Sequence, residues 1–323
     1  MRRRLAGAST AIGVLLGGVA VVFVGQRLAS NWDEVSDSLS DASLGWIAGA
    51  VVLAVAGMTA IAIPWRQALR LLGGDLTYPE TVARYYVGEL GKYLPGGVWP
   101  VVGRGELARR AGVGRTAAYG SVALSLAALY LAAMFLAVGF APAILSGDRT
   151  GGAGGAGKYL WALALLPVGV LCLHHAVLER VKRMGEKVLK REISADIPLW
   201  RDSLGLMVRY VPAWLFIGTA TWAVAEGLGQ SVGWLDVAPA AILSWIIGFV
   251  LVPVPGGVGV REAAFIAAAG SLATGPAAAV AIVARVLFVA TDGLGALVAS
   301  TWLARRGERP KPGPQRDLVT NAG

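Results

Sequence analysis

The chain has little cysteine, little histidine, little charge and no long polar stretch. Of its 323 residues one is cysteine, Cys172, which excludes an intrachain disulfide and a metal cluster built on thiols. Two are histidine, the adjacent His174 and His175, with no carboxylate pair at metal spacing, so neither a metal nor another cofactor is expected. Charged residues make up only 15% and apolar ones 56%, with a mean hydropathy of +0.62, outside the range of a soluble domain of this length. There is no nucleophile motif, no phosphate-binding loop and no soluble segment large enough for a nucleotide fold. An enzyme is therefore not expected. The net charge of +9 would suit nucleic acid, but the basic residues flank apolar runs instead of forming a basic module, so no nucleic-acid partner is expected.

Apolar runs are what the chain has in quantity. Six reach the ~20 residues that cross a bilayer core, at about 8–28, 44–65, 117–140, 159–178, 211–229 and 276–303. The run after Met1-Arg2-Arg3-Arg4 is longer than the ~7–15 apolar residues of a cleavable signal, so an uncleaved first span is expected. Two further regions, 80–111 and 237–272, are apolar but broken. The prediction is an all-α integral membrane protein with six full spans and two re-entrant or short broken hairpins, up to eight spans in all.

Lysine and arginine set the expected orientation. Three lie in 1–7, eight in 65–116, eight in 179–210 and five in 304–323, or 24 of 29. The positive-inside rule puts both termini and the loops around 66–79 and 179–205 in the cytoplasm, and the acidic loop Asp33 to Asp41 outside. In a bacterial cell that is a multi-pass protein of the inner membrane. Region 80–111 then begins and ends inside, with arms of ~14 residues, ~21 Å as helix against a ~30 Å core. Region 237–272 begins and ends outside, and a tight pair of full spans would have the same parity.

The halves thus repeat upside down, as two inverted repeats: 1–140 with a cytoplasmic-side hairpin 80–111, and 159–303 with an external-side hairpin 237–272. A glycine-rich external linker is expected at 141–158 and a disordered cytoplasmic tail at 304–323. Between the fourth and fifth spans, Glu179 to Asp196 alternates basic and apolar residues at helical spacing, predicting an amphipathic helix on the membrane surface.

Each hairpin carries a Pro-Gly-Gly turn, at Pro95-Gly96-Gly97 and Pro255-Gly256-Gly257. A proline followed by two glycines cannot continue a helix, and the next arm opens with unpaired N–H groups that attract anions. Lys92, Arg104 and Glu106 flank the first turn, and Arg261 and Glu262 follow the second. Glu89 and Lys92 are one helical turn apart and placed to pair, whereas Arg285 and Asp292 share a face of the last span. Charges at this depth must face a protein interior or a watery cavity. Together these eight are four positive and four negative, a site neutral when empty whose carboxylates are the groups that would carry protons in coupled transport. Glu226 is read as a surface charge. Trp46, Trp65, Trp161, Trp234 and Trp302 are read as an interfacial belt, and Trp99 and Trp245 as lining the cavity or packing beside it.

The stretch Gly91 to Gly97 through Arg104, Glu106 and Leu107 to Gly112, together with Pro253 to Glu262, resembles the lysylphosphatidylglycerol synthase transmembrane-region family, also called the flippase-like domain family. The resemblance covers roughly 8–303. In that family the membrane part moves aminoacylated phospholipid between leaflets, while a separate cytosolic domain makes it from aminoacyl-tRNA. No counterpart of that domain follows the last run here, so synthase activity is not expected. The resemblance implies a membrane lipid as partner, an anionic phospholipid or a polyprenyl-phosphate-linked lipid, bound and moved between leaflets. Two other classes remain open: a lipid-linked glycosyl or phosphoryl transferase using Glu106 or Glu262 as base, and a non-catalytic subunit beside a cell-envelope biosynthesis enzyme.

Overall fold

Where no water is available, every backbone N–H must be satisfied within the segment, so long apolar runs fold as helices. The computed structural model describes residues 42–93, 98–141, 167, 170–171, 173–189, 198–250 and 259–306. Among the described residues there are ten α-helices, one short 3-10 turn and no strand. Four helical segments, Leu44–Leu71, Arg115–Gly139, Trp200–Gly227 and Thr274–Arg306, are long and apolar enough to cross a membrane. The expected span at 8–28 and residues 159–166, 168–169 and 172 of the expected span at 159–178 lie outside the described residues, as do both Pro-Gly-Gly turns, all but the first residue of the linker 141–158, and the tail beyond 306.

The first helix, α1 (Leu44–Leu71), buries Ala50, Ala54, Met58, Ile61, Trp65 and Leu69, a stripe at three- and four-residue spacing. It packs along α7 (Val211–Gly227), and Gly57 lets Phe216 and Ile217 approach its backbone. α1 runs past the expected end at 65 and stops where Gly73 turns to φ 78°, with Gly74 N–H bonded to Leu69 O at 2.9 Å. This left-handed stop satisfies the last carbonyls.

The first broken region is a pair of short helices. α2 (Tyr78–Glu89) starts at Thr77, whose N–H donates to the Glu80 carboxylate at 2.9 Å, and passes into the 3-10 turn Leu90–Tyr93. α3 (Trp99–Arg110) packs back against α2, and α4 (Arg115–Gly139) follows.

After the basic amphipathic helix α5 (His175–Leu189), which begins earlier than expected, comes α6 (Trp200–Arg209), a helix within the expected cytoplasmic loop. Only Tyr210 separates α6 from α7. Pro212 supplies no N–H to the carbonyl of Val208, so one helical ladder becomes two.

The second broken region is again a pair: α8 (Trp234–Val250) and the short α9 (Val260–Ala268), followed by α10 (Thr274–Arg306). Contacts between the halves are reciprocal. α2 packs on α10, α8 packs on α4, and α1 on α7 forms the seam between them. Gly88 of α2 and Gly248 of α8 each stand seven residues before the proline of their turn. A side chain at Gly88 would strike Arg104 of the opposite arm, and one at Gly248 would strike Arg261.

Trp65 corrects the interfacial-belt expectation. It is fully buried between α1 and α4 and donates its indole N–H to Ser121 Oγ at 3.1 Å. Trp234 is half-buried and donates to Thr219 at 2.9 Å. Glu226 is partly buried and accepts a bond from Val232 N–H at 3.3 Å, so it serves the turn after α7 instead of facing outward.

Candidate functional site

Both helix pairs direct charge inward, and α10 receives it. Lys92, in the 3-10 turn, places Nζ 2.6 Å from Asp292 Oδ2 on α10, and Tyr93 donates its hydroxyl to the same oxygen at 2.7 Å. Asp292 is fully buried. Glu89 bridges Lys92, at 3.6 Å, and Arg104, at 3.8 Å. Arg104 is 1% exposed, donates to Pro100 O at 3.4 Å, and lies 5.3 Å from the Tyr85 ring centroid and 5.9 Å from that of Trp65.

On the other side α9 presents Arg261 and Glu262 in its first turn, where a carboxylate also complements the helix dipole. Glu262 pairs with Arg285 of α10. Arg261 instead sits over the indole of Trp245 with its guanidinium carbon 3.7 Å from the ring centroid. Among the described residues no carboxylate lies within ion-pair distance of Arg261. Lys92 Nζ is 5.7 Å from the same ring, so one indole neighbours cations from both helix pairs. Trp245 is fixed edge-on by Trp214 and Phe288.

Arg261, Arg285, Glu262, Trp245, Ser244 and Thr221 line a narrow cleft between α7, α8, α9 and α10. Phe265 and Phe288 complete its apolar side, and Arg261 and Arg285 against Glu262 leave its charge positive by one. Four buried polar atoms of the cluster, Glu89 Oε2, Arg104 Nη2, Glu262 Oε2 and Asp292 Oδ1, have no hydrogen-bond partner among the described residues. Unpaired buried polar atoms cost ~1–3 kcal/mol each, which favours their use by a ligand, a proton or water.

The sequence reading grouped eight charges; the structure brings seven of them together. Glu106 is the exception. It faces the exposed end of α3, where Arg109 at 2.8 Å and Arg110 at 3.2 Å hold its carboxyl down at about 2, Arg109 contributing most. With Glu106 removed, the cluster has four cations against three carboxylates, so the expected neutrality is replaced by one excess positive charge, located at Arg261. Arg104 also departs from expectation, since it lies mid-helix against Glu89 and outside the cleft lining. Arg285 and Asp292 share α10 but take different partners. Pro95, Gly96, Gly97, Pro255, Gly256 and Gly257 lie outside the described residues. Trp245 does line the cleft. Tyr93, Ser244 and Thr221 were not singled out from sequence; Tyr93 alone had a signal, its place beside Lys92 before a helix-breaking turn. Among the described residues no group of side chains could hold a metal ion.

Residues 10–292 match the family model of the lysylphosphatidylglycerol synthase TM region. No curated protein matches the sequence.

Proposed function

From the premise that this chain belongs to the lysylphosphatidylglycerol synthase TM region family, and is thus a multi-pass membrane protein of lipid biology, we propose that it is a lipid transporter and not an enzyme. It binds the anionic headgroup of a phospholipid or polyprenyl-phosphate lipid beside Arg261 and moves it between leaflets. The observation that carries this reading is the setting of Arg261: a half-buried residue whose guanidinium stacks on Trp245, in a cleft shared with Arg285, with no carboxylate at ion-pair distance among the described residues. A cation in a low-dielectric site is stabilised by an anion far more than one at a surface, and a guanidinium presents the fork that phosphate oxygens fit. The aromatic and aliphatic side of the cleft suits the glyceryl or first acyl carbons, while the tails stay in the bilayer.

The two helix pairs act as re-entrant hairpins entering from opposite sides of the inner membrane, with both chain termini in the cytoplasm. Support comes from the reciprocal packing of α2 on α10 and α8 on α4 and from the short length of α3 and α9, 12 and 9 residues, or ~18 and ~14 Å of helix. Alternate opening of the cleft around a fixed midplane site is the transport cycle such a plan allows.

The test is movement. In vesicles of phosphatidylcholine with a trace of headgroup-labelled phosphatidylglycerol, or of labelled polyprenyl phosphate, the purified chain should speed exposure of inner-leaflet label to an impermeant quencher. Arg261→Gln, checked for folding by its elution profile, should abolish that acceleration. Rates equal to protein-free vesicles for both lipids would overturn the reading.

A further inference from the structure

On the reading of Arg261 as the headgroup cation, we infer that Asp292 is a proton-binding site coupled to that headgroup, with Lys92 the cation they exchange. Asp292 is fully buried, and all its partners are on one oxygen: Lys92 at 2.6 Å and Tyr93 at 2.7 Å both reach Oδ2, while Oδ1 has no partner among the described residues. A proton placed on Oδ1 neutralises the carboxylate and releases the ion pair with Lys92 without displacing any bond to Oδ1. Lys92 then shares with Arg261 the neighbourhood of one indole, that of Trp245, 5.7 Å from Lys92 Nζ and 3.7 Å from the Arg261 guanidinium. Glu89, at 3.6 Å, is then its remaining carboxylate partner, and a phosphate oxygen at Arg261 takes the place that Asp292 gives up.

Charge bookkeeping gives the direction. The empty cluster is positive by one and can take one phosphodiester monoanion. A proton on Asp292 raises the excess to two, strengthening the attraction while supplying a second cation for the headgroup. Proton and headgroup therefore help each other bind, and by linkage the help is equal in both directions. The proton comes from water, stays on Oδ1 while the headgroup is held, and leaves when Lys92 returns.

The surroundings allow this exchange and, among the described residues, supply no other partner for Asp292. From the 3-10 turn it is faced by Lys92 and Tyr93, and from α2 by Tyr85, Tyr86 and, through Lys92, Glu89. From α9, Arg261 and Glu262 stand nearby, and on its own helix Arg285, which Glu262 occupies. The other helices packed on α10 carry charge only in Arg66 and Arg70 of α1 and in Glu226 of α7; Arg66 bonds Asp75 and Glu226 bonds Val232 N–H.

The experiment counts protons. The full chain in uncharged detergent and weak buffer is titrated with dihexanoyl phosphatidylglycerol, with lipid binding followed by calorimetry and proton uptake by a pH dye, from pH 5 to 8. Uptake approaching one proton per lipid is expected, with affinity rising about tenfold for each unit fall in pH across that part of the range where uptake is complete. Asp292→Asn should bind with no uptake and no pH dependence. Binding by the wild type with no proton uptake, lost in Arg261→Gln, overturns the coupling and leaves the headgroup reading standing. Uptake that persists in Asp292→Asn moves the proton elsewhere and also overturns it. If no pH gives binding, both readings fall together. Inorganic phosphate in the same assay separates sources: equal affinity with proton uptake keeps the coupling but makes a free anion, not a lipid, the ligand.

Discussion

Lys92 Nζ and Asp292 Oδ2 are 2.6 Å apart, so the turn that closes the first helix pair and the middle of the last helix hold a single ion pair. The bond joins the two halves of the chain at a carboxylate that is fully buried. Breaking one side of such a pair leaves an uncompensated charge, at a cost of ~3–5 kcal/mol. Lys92→Ala and Asp292→Ala should each lower the unfolding free energy in detergent by that order, and the double variant by clearly less than the sum of the singles. A double-mutant cycle measures the difference. Additive losses would mean that the two side chains do not pair.

Gly248 faces the stem of Arg261 across the second helix pair. A methyl group there forces the arginine off the Trp245 ring, and overpacking costs ~1–3 kcal/mol. Gly248→Ala should therefore weaken binding of dihexanoyl phosphatidylglycerol at least several-fold while the protein stays folded. Gly88→Ala, the counterpart opposite Arg104, should lower stability with a smaller effect on binding. Calorimetry and thermal unfolding on both variants separate the two.

Trp65 and Ser121 form a buried hydrogen bond between α1 and α4, with Ser121 Oγ donating onward to Ala118 O at 3.0 Å. Ser121→Ala leaves the indole N–H unpaired and should cost ~1–3 kcal/mol. Trp65→Phe in the same background should recover part of that loss, which unfolding midpoints in detergent will show.

Glu106 supplies a pH dependence with a defined sign. Arg109 and Arg110 lower its carboxyl from 4.5 to about 2, so the stabilisation from this trio is full above about 4.5 and is lost as pH falls toward 2. Glu106→Gln should flatten that acid limb of the stability curve and leave lipid binding unchanged, since Glu106 stands apart from the cleft. A variant that lost lipid binding would return Glu106 to the site.

The spans were legible because an apolar run in lipid has essentially one way to satisfy its backbone, and α1, α4 and α10 lie where hydropathy put them. Both broken regions were legible as helix pairs through Pro95 and Pro255. α6 was not, because its ten residues include Arg201, Asp202 and Arg209 and read as a charged loop; its helix is held by packing on α4. In the site, residue types were legible and partners were not. Glu89 found Lys92 because one helical turn separates them, whereas Lys92 with Asp292 and Arg285 with Glu262 depend on tertiary packing that no local spacing encodes. Glu106 was misgrouped for the same reason. Its neighbours three and four residues on, Arg109 and Arg110, were the better local prediction.

The most direct measurement is the identity of the lipid that the chain carries out of the membrane. Protein extracted in mild detergent and washed free of bulk lipid is compared by mass spectrometry with folded Arg261→Ala. The account predicts one anionic lipid class enriched on the wild type over its share of the membrane, and absent from the variant. Equal, unselective lipid on both proteins would contradict it.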